Sequence, residues 1–290
     1  MFKGSIVALI TPFRQGKLDE EALARLVEWH IEQGTHGIVP VGTTGESLTL
    51  THDEHCRVVE LVVKLVAGRV PVIAGAGSNN PVEAIEYTLH AERVGADATL
   101  HVAGYYNRPN QEGLYHHFKA VHDATAKPII VYNIPPRAIV DVQPATLARL
   151  AELPRIAGVK DATGDLARPW TERQLIKKQF AWLPGEDATA VAYNIGGGQG
   201  CISVTANVAP KLVAEVQNLT LAGQWQAARE LQDKLIPLHQ AMFAEPSPAG
   251  AKYAVSLLGF CSEECRLPVM PLSEATRTRI RDAMQALNLL

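Results

Sequence analysis

The feature that most constrains the fold is an alternation of short apolar runs with longer amphipathic segments. Segments with apolar residues at helical spacing, such as 19–33, 51–67, 81–94 and 111–124, predict helices. The short runs predict eight strands, at 5–11, 37–42, 70–76, 98–103, 128–134, 156–162, 180–185 and 200–205. Eight strands that alternate with helices predict the α/β class, as a (β/α)8 TIM barrel.

After residue 224 the strand pattern stops, and the segments 225–243, 249–258 and 273–289 predict helices. We therefore expect residues 1–224 to form the barrel that carries the active site. Residues 225–290 are predicted to form a small helical appendage on it. A chain of 290 residues with 47% apolar content is long enough for one large core and needs no second full domain.

The charge pattern excludes several function classes. The net charge is −3 and the basic residues are scattered, so the sequence predicts no nucleic-acid partner and no membrane partner. The first residues lack a signal-peptide pattern, which predicts a cytoplasmic protein. The four cysteines form neither a disulfide framework nor a zinc motif, and we expect them to be reduced. Small-molecule chemistry is the expected activity.

The sixth apolar run ends in Lys160, just before a turn at Gly164. A strand that is buried on both faces has no ordinary place for an ammonium group. Lys160 either extends its head to solvent at the strand end or is a desolvated amine that acts as a nucleophile. The other strand ends favour the second interpretation.

Active sites of such barrels form at the carboxyl ends of the strands. There the sequence places Thr43 and Thr44 after the second strand, and Tyr132 and Arg137 at the end of the fifth. An amine that attacks a ketone needs a proton relay, which a phenol and hydroxyls supply, and an arginine binds a carboxylate with two hydrogen bonds. Each residue alone also fits a structural role, but together they predict an imine-forming site.

Five motifs carry a resemblance to a known family. They are Gly42-Thr43-Thr44-Gly45-Glu46, Tyr105-Tyr106-Asn107-Arg108-Pro109, Tyr132-Asn133-Ile134-Pro135, Gly158-Val159-Lys160-Asp161-Ala162-Thr163-Gly164 and Ile202-Ser203-Val204-Thr205-Ala206-Asn207. Over nearly its whole length the chain resembles the dihydrodipicolinate synthase family of pyruvate-dependent class I aldolases. The resemblance implies a lyase that condenses pyruvate with L-aspartate 4-semialdehyde in lysine biosynthesis. The threonine pair separates the chain from sialic acid lyases, which usually carry serine-threonine.

The resemblance also implies catalytic roles. Lys160 is expected to form the Schiff base, so that no cofactor is needed, and Tyr132 to shuttle protons. Thr43 is expected to link Tyr132 to Tyr106, which in this family reaches into the site of a neighbouring subunit. The implied assembly is a homotetramer, built as a dimer of dimers.

Substrate binding is implied for four further positions. Thr44, the backbone around Ile202, and Gly185 are expected to hold pyruvate, while Arg137 is expected to hold the carboxylate of the semialdehyde. Where many relatives have other residues, this chain has Ala103-Gly104, Ala138-Ile139 and Ser247-Pro248-Ala249-Gly250. The first two departures are expected on the second-substrate side.

A regulatory site for lysine is a further implication of the resemblance. Its expected residues are His52, His55, Asn79, Glu83 and Tyr105. Leu48 stands where some lysine-sensitive relatives have alanine. The spacing of His52 and His55 does not match the two-histidine motif of a zinc hydrolase, so no metal is expected.

Two alternative functions remain open at this point. One is a different pyruvate-dependent aldolase or dehydratase that acts on a hydroxylated 2-oxo acid. The other is a catalytically silent sensor of amino acids. The glycine-rich segment 196–200 is interpreted as a packing turn, because it leads into a strand and does not open a helix.

Overall fold

Strands and helices alternate along residues 2–290, the part of the chain that the computed structural model describes. The strands are β1 (Gly4–Ala8), β2 (Phe13–Arg14), β3 (Lys17–Leu18), β4 (Gly37–Val39), β5 (Ile73–Gly75), β6 (Ala98–Val102), β7 (Ile129–Asn133), β8 (Ile156–Asp161), β9 (Ala181–Pro184) and β10 (Gly200–Ser203). The helices are α1 (Glu20–Glu32), α2 (His52–Val66), α3 (Pro81–Val94), α4 (Gln111–Ala124), α5 (Pro135–Ala138), α6 (Pro144–Ala151), α7 (Arg168–Leu175), α8 (Ala190–Ile195), α9 (Pro210–Leu221), α10 (Trp225–Ala241), α11 (Ala249–Leu257) and α12 (Glu274–Ala286).

Eight parallel strands form the barrel. They pair in the orders β10-β1-β4 and β5-β6-β7-β8-β9. Ile38 and Val72 form a parallel bridge between the β4 and β5 edges. The Gln199 N–H donates to the Trp182 carbonyl at 3.0 Å and joins the other two edges. The (β/α)8 prediction is confirmed, and the carboxyl ends of all eight strands lie on one face.

The eight barrel strands lie within or close to the predicted ones, and each is shorter than predicted. The run predicted as 5–11 forms β1 only to Ala8, and one more hydrogen bond, from the Leu9 N–H to the Val39 carbonyl, follows it. The sequence predicts no hairpin after it, whereas β2 and β3 pair antiparallel. Residues 196–200 connect α8 to β10 at the amino end of the barrel, as expected of a packing turn.

The core has an inner and an outer part. Ile6, Ile73, Ile130, Leu183 and other inward residues fill the barrel. A second cluster lies between the barrel and its helices, and it contains residues of α10 and α12 as well as of β1. The helices after residue 224 therefore share one core with the barrel. The division at 224 stays a prediction.

The ends of the helices follow local chemistry. At the start of α2, Thr51 accepts from the Glu54 N–H, and the Glu54 carboxylate accepts from the Thr51 N–H, which forms a capping box. None of the helices in residues 2–290 is long and apolar enough to cross a membrane. All four cysteines are free, as predicted.

Candidate active site

Lys160 and Tyr132 form the centre of the candidate site. The pairing of β7 with β8 places Tyr132 directly opposite Lys160. The Lys160 Nζ lies 4.2 Å from the centre of the Tyr132 ring. Both residues are buried, and no carboxylate in residues 2–290 forms an ion pair with the lysine. The amine is therefore enclosed next to a phenol, without a counterion.

Gly185 lies just after β9, against the side chain of Lys160. A Cβ at this position would be 2.8 Å from the Lys160 Cε, which is closer than carbon atoms approach without a shift. The Gly185 N–H donates to the Asp161 carbonyl at 2.6 Å, which fixes the backbone here. The missing side chain thus makes room for the lysine. Ile202, also predicted to bind pyruvate, is fully buried in β10.

The threonine pair lies in a tight loop after β4. The Gly45 N–H donates to the Gly42 carbonyl at 3.0 Å, and the Glu46 N–H donates to the Thr43 carbonyl at 3.1 Å. Thr44 is buried and Thr43 is half-buried. The loop therefore presents two adjacent hydroxyl-bearing residues at the carboxyl end of the barrel.

A cavity of about 420 Å³ opens over the carboxyl ends of β4 to β7. Thr43 and Arg137 line it, together with apolar residues such as Ile134. The Arg137 guanidinium forms no ion pair within residues 2–290. Of the segments that depart from the family pattern, Ala138, Ser247 and Pro248 line the same cavity, whereas Ala103 and Gly104, which are expected on this side, do not. Lys160 and Tyr132 are not part of this lining, since they lie in the strands beneath it.

Tyr106 points away from its own barrel. It is 88% exposed, and within residues 2–290 it has no hydrogen bond or aromatic contact. Its φ of 64° is in the left-handed region, which is uncommon for a residue with a side chain. A single chain therefore does not bring Tyr106 into the predicted relay, and its role in a neighbour's site stays a prediction.

The five residues predicted for a lysine site do not line one cavity of a single chain. His52 and His55 stack on Tyr87, with ring centres 5.2 Å and 3.8 Å away. Burial lowers the pKa of His55 to about 4, so this imidazole is neutral at pH 7. Tyr105 lines the active-site cavity instead.

The other two residues of that predicted site lie beyond β5. Glu83 accepts a hydrogen bond from the Ser78 hydroxyl at 2.5 Å. The Asn79 carbonyl accepts from the Asn107 side chain at 2.8 Å, which ties it to the loop that carries Tyr106. The regulatory site stays a prediction.

Two features of this region are not evident from the sequence. The first is a buried acidic pair behind the lysine strand, formed by Asp161 and Glu172. Burial, followed by the nearby charge of Asp161, raises the pKa of Glu172 to about 8, although Arg168 lies 3.7 Å away. No periodic signal in 168–175 marks Glu172 as buried, because the segment is mostly polar.

The second feature is a buried ion pair between Glu46 and Lys252. Their charged atoms are 2.5 Å apart, and both side chains are almost fully enclosed. A weak signal for it exists in the sequence, because Lys252 interrupts the otherwise mainly apolar segment 249–258. The partner of this lysine is not evident from the sequence.

A buried lysine beside a phenol, at the end of a barrel strand and beneath an open cavity, defines a lyase of the Schiff-base class on a (β/α)8 barrel. Known proteins agree with this class. The model of the Dihydrodipicolinate synthetase family matches residues 1–287, and the chain belongs to that family.

Individual relatives are similar over their full length. The chain is 60% identical to a 4-hydroxy-tetrahydrodipicolinate synthase of Parvibaculum lavamentivorans over 290 residues, which is 100% of both chains. The solved structure of the chloride-inhibited dihydrodipicolinate synthase from Acinetobacter baumannii, complexed with pyruvate, is 44% identical with a TM-score of 0.98 and full coverage of both chains. A solved structure described as the first monomeric dihydrodipicolinate synthase variant is 38% identical, with a TM-score of 0.97, and the match covers 100% of this chain and 98% of that one.

Proposed function

We propose that this chain condenses pyruvate with L-aspartate 4-semialdehyde to give 4-hydroxy-tetrahydrodipicolinate, a step of lysine biosynthesis. The placement of the Lys160 amine against the Tyr132 ring carries the proposal. The name of the full-length relative with 60% identity supports the reaction. The pyruvate complex of the Acinetobacter protein supports pyruvate as the first substrate.

The chemistry begins at Lys160. Its amine attacks the ketone carbon of pyruvate and the resulting carbinolamine loses water, which leaves an imine. Removal of a proton from the pyruvate methyl group gives an enamine, whose carbon attacks the aldehyde of the second substrate and restores the imine. The amino group of the semialdehyde then attacks the imine carbon, which closes the ring and releases the Lys160 amine. The Tyr132 phenol donates and accepts the protons of these steps. The imine itself accepts the electrons, so the proposed reaction requires no cofactor.

The substrate carboxylates have separate binding groups. The Thr44 region and the backbone around Ile202 hold the carboxylate of pyruvate, and Gly185 lies against the side chain of Lys160, which binds its ketone carbon. The Arg137 guanidinium, which lines the cavity and forms no ion pair within residues 2–290, binds the carboxylate of the semialdehyde through two parallel hydrogen bonds.

The proposed assembly is a homotetramer in the cytoplasm, built as a dimer of dimers. The phenol of Tyr106 is exposed and has no hydrogen-bond partner within residues 2–290, which supports a shared site in which this side chain contacts the active site of a neighbouring subunit. One solved relative is described as a monomeric variant, so the assembly of this chain needs its own test.

A second candidate is another pyruvate-dependent aldolase or dehydratase. It is favoured by Ala138, Ser247 and Pro248, which belong to segments that depart from the family pattern and line the cavity above the lysine. This alternative keeps the imine and changes the aldehyde partner.

Borohydride trapping tests the proposal. Purified protein incubated with pyruvate and borohydride should gain one reduced pyruvate adduct on Lys160, seen by peptide mass spectrometry, and Lys160→Ala should lose it while keeping the fold. An adduct on another lysine would contradict the mechanism. An assay with a panel of aldehydes then separates the two candidates, because the first requires L-aspartate 4-semialdehyde as the best partner.

A further inference from the structure

The loop that carries Thr43 and Thr44 begins and ends in strained backbone. Val41 has a φ of 48° and Glu46 a φ of 56°, so both adopt the left-handed conformation without being glycine. For a β-branched residue such as Val41 this conformation is an outlier. The conformation persists only when the surrounding structure over-determines it. Contacts from outside the loop must therefore hold it.

One such contact comes from the barrel itself. Gly75, at the end of β5, packs so closely on the loop that a Cβ there would lie 2.3 Å from the Val41 carbonyl oxygen. The Thr11 hydroxyl donates to the Gly45 carbonyl at 2.7 Å. These contacts fix the inner side of the loop.

The outer side is held by the helical region at the end of the chain. The Glu46 carboxylate lies 2.5 Å from the Lys252 Nζ of α11 and accepts from the Arg266 N–H at 2.9 Å. Lys252 is completely buried, donates to the Glu264 carbonyl at 2.6 Å, and lies 4.0 Å above the ring of Phe13. The carboxylate is therefore the one charged partner of Lys252 within residues 2–290.

The side chain of Arg266 adds further contacts between the C-terminal region and the residues after the loop. Its guanidinium contacts both oxygens of Glu54 at 2.6 Å, donates to the Thr49 carbonyl at 2.8 Å, and covers the Phe13 ring at 4.3 Å. It thus joins the residues that follow the threonine loop to the same C-terminal segment.

A buried ion pair is weak evidence for stability, because well-packed apolar side chains of similar volume often serve the fold equally well. Unlike apolar side chains, the Glu46 carboxylate and the Lys252 ammonium must keep one relative position, because each is the other's charged partner. Here that geometry holds Glu46, the last residue of the strained loop that carries the Thr43 and Thr44 hydroxyls.

We infer that Lys252 is a positioning residue of the reaction: through Glu46 it holds the Thr43–Thr44 loop in the conformation that receives pyruvate. The inference rests on the proposed function, and it makes the C-terminal helical region part of the active site. Lys252 itself touches no substrate in this arrangement.

The test replaces the pair with neutral side chains of similar length, as Glu46→Met/Lys252→Met. The double variant should remain folded, since neither charge is left buried without a partner. Its KM for pyruvate should rise about ten- to hundredfold, the loss expected for a misplaced hydrogen bond to a charged group. Its KM for the aldehyde should stay unchanged, because Arg137 lies on a different loop. Each rate is divided by the concentration of active sites, which is counted as the amount of protein that borohydride traps with pyruvate.

Two further variants keep the result unambiguous. Glu46→Gln retains an acceptor for the Arg266 N–H and should raise the pyruvate KM in the same direction by a smaller factor, even if the double variant fails to fold. Leu235→Ala, a buried apolar truncation in α10, should lower stability and leave both KM values unchanged.

The outcomes separate the two proposals. A wild-type pyruvate KM in either folded Glu46 variant overturns the positioning role, as does an equal rise of the KM for both substrates. Wild-type protein that traps no pyruvate on Lys160 rejects the proposed function, and this inference with it.

Discussion

Gly185→Ala adds one methyl group beside the side chain that carries the reactive amine. The new Cβ would lie 2.8 Å from the Lys160 Cε, and 3.2 Å from both the Lys160 Cγ and the Ala162 Cβ. Carbon atoms in contact prefer about 3.5–4.0 Å. The lysine chain is the movable neighbour, so the clash displaces the amine by about 0.7–1.2 Å. A misplacement of about 1 Å costs about 10²-fold in rate.

The expected result is therefore chemical rather than structural. The rate of pyruvate imine formation, measured by quenching samples with borohydride at timed intervals, should fall by about 10²-fold. The unfolding free energy should fall by about 1–3 kcal/mol, the usual cost of an added methyl group in a packed site.

Gly37→Ala is the matched control. It adds a methyl group in β4 at the opposite end of the barrel, 3.3 Å from the Ile6 Cγ1, and should leave the rate of imine formation unchanged. If Gly185→Ala traps pyruvate at the wild-type rate, the close contact does not position the amine and the reasoning is wrong.

Four further predictions follow from the site. Tyr132→Phe removes one hydroxyl without leaving a cavity, so steady-state turnover should fall by about 10²- to 10⁴-fold, and a near-normal rate would assign the proton transfers to another group. Arg137→Lys keeps the charge but loses the two-pronged geometry; it should raise the KM for the aldehyde more than that for pyruvate, and equal effects would count against the assignment. Because the pKa of Glu172 is raised to about 8 from an ordinary 4.5, the folded state holds a proton that the unfolded chain releases, and stability falls with pH between these values. Glu172→Gln should remove about 1.4 kcal/mol per pH unit of this decline between about pH 5 and 8, measured by denaturant unfolding, and identical slopes for both proteins would refute it. Lys160→Ala and Tyr106→Phe, each inactive, should recover activity when mixed and allowed to exchange subunits, since a mixed dimer with shared sites has one intact site; verified exchange without recovery would reject the shared site.

The sequence predicts the barrel well, because the fold depends on a repeated local pattern. Each buried strand leaves an apolar run, and each run is bounded by turn residues, so all eight strands are found. The ends of the strands are less certain, since pairing stops where the neighbouring chain turns away. Leu9 still donates to the Val39 carbonyl at 2.9 Å although β1 has ended.

The candidate site is only partly predictable, for a physical reason. The adjacency of Tyr132 and Lys160 follows from two neighbouring strands of similar length, which makes it a local consequence of the fold. The space that Gly185 provides, the burial of Glu172 and the partner of Lys252 depend on three-dimensional contacts between distant segments. No pattern along the chain encodes which carboxylate a buried lysine meets.

The ring of Phe13 contacts both the Lys252 ammonium and the Arg266 guanidinium, and the Arg266 N–H donates to the Glu46 carboxylate, 220 positions away in the chain. Because of these contacts, the C-terminal part of the chain is difficult to replace with the corresponding part of a related protein. A chimera that replaces the final third of this chain with that of a relative removes Lys252 and Arg266, and it leaves the Phe13 ring and the Glu46 carboxylate without these partners. Recombination between relatives should therefore succeed most often when the first fifty residues and the C-terminal helices come from the same parent.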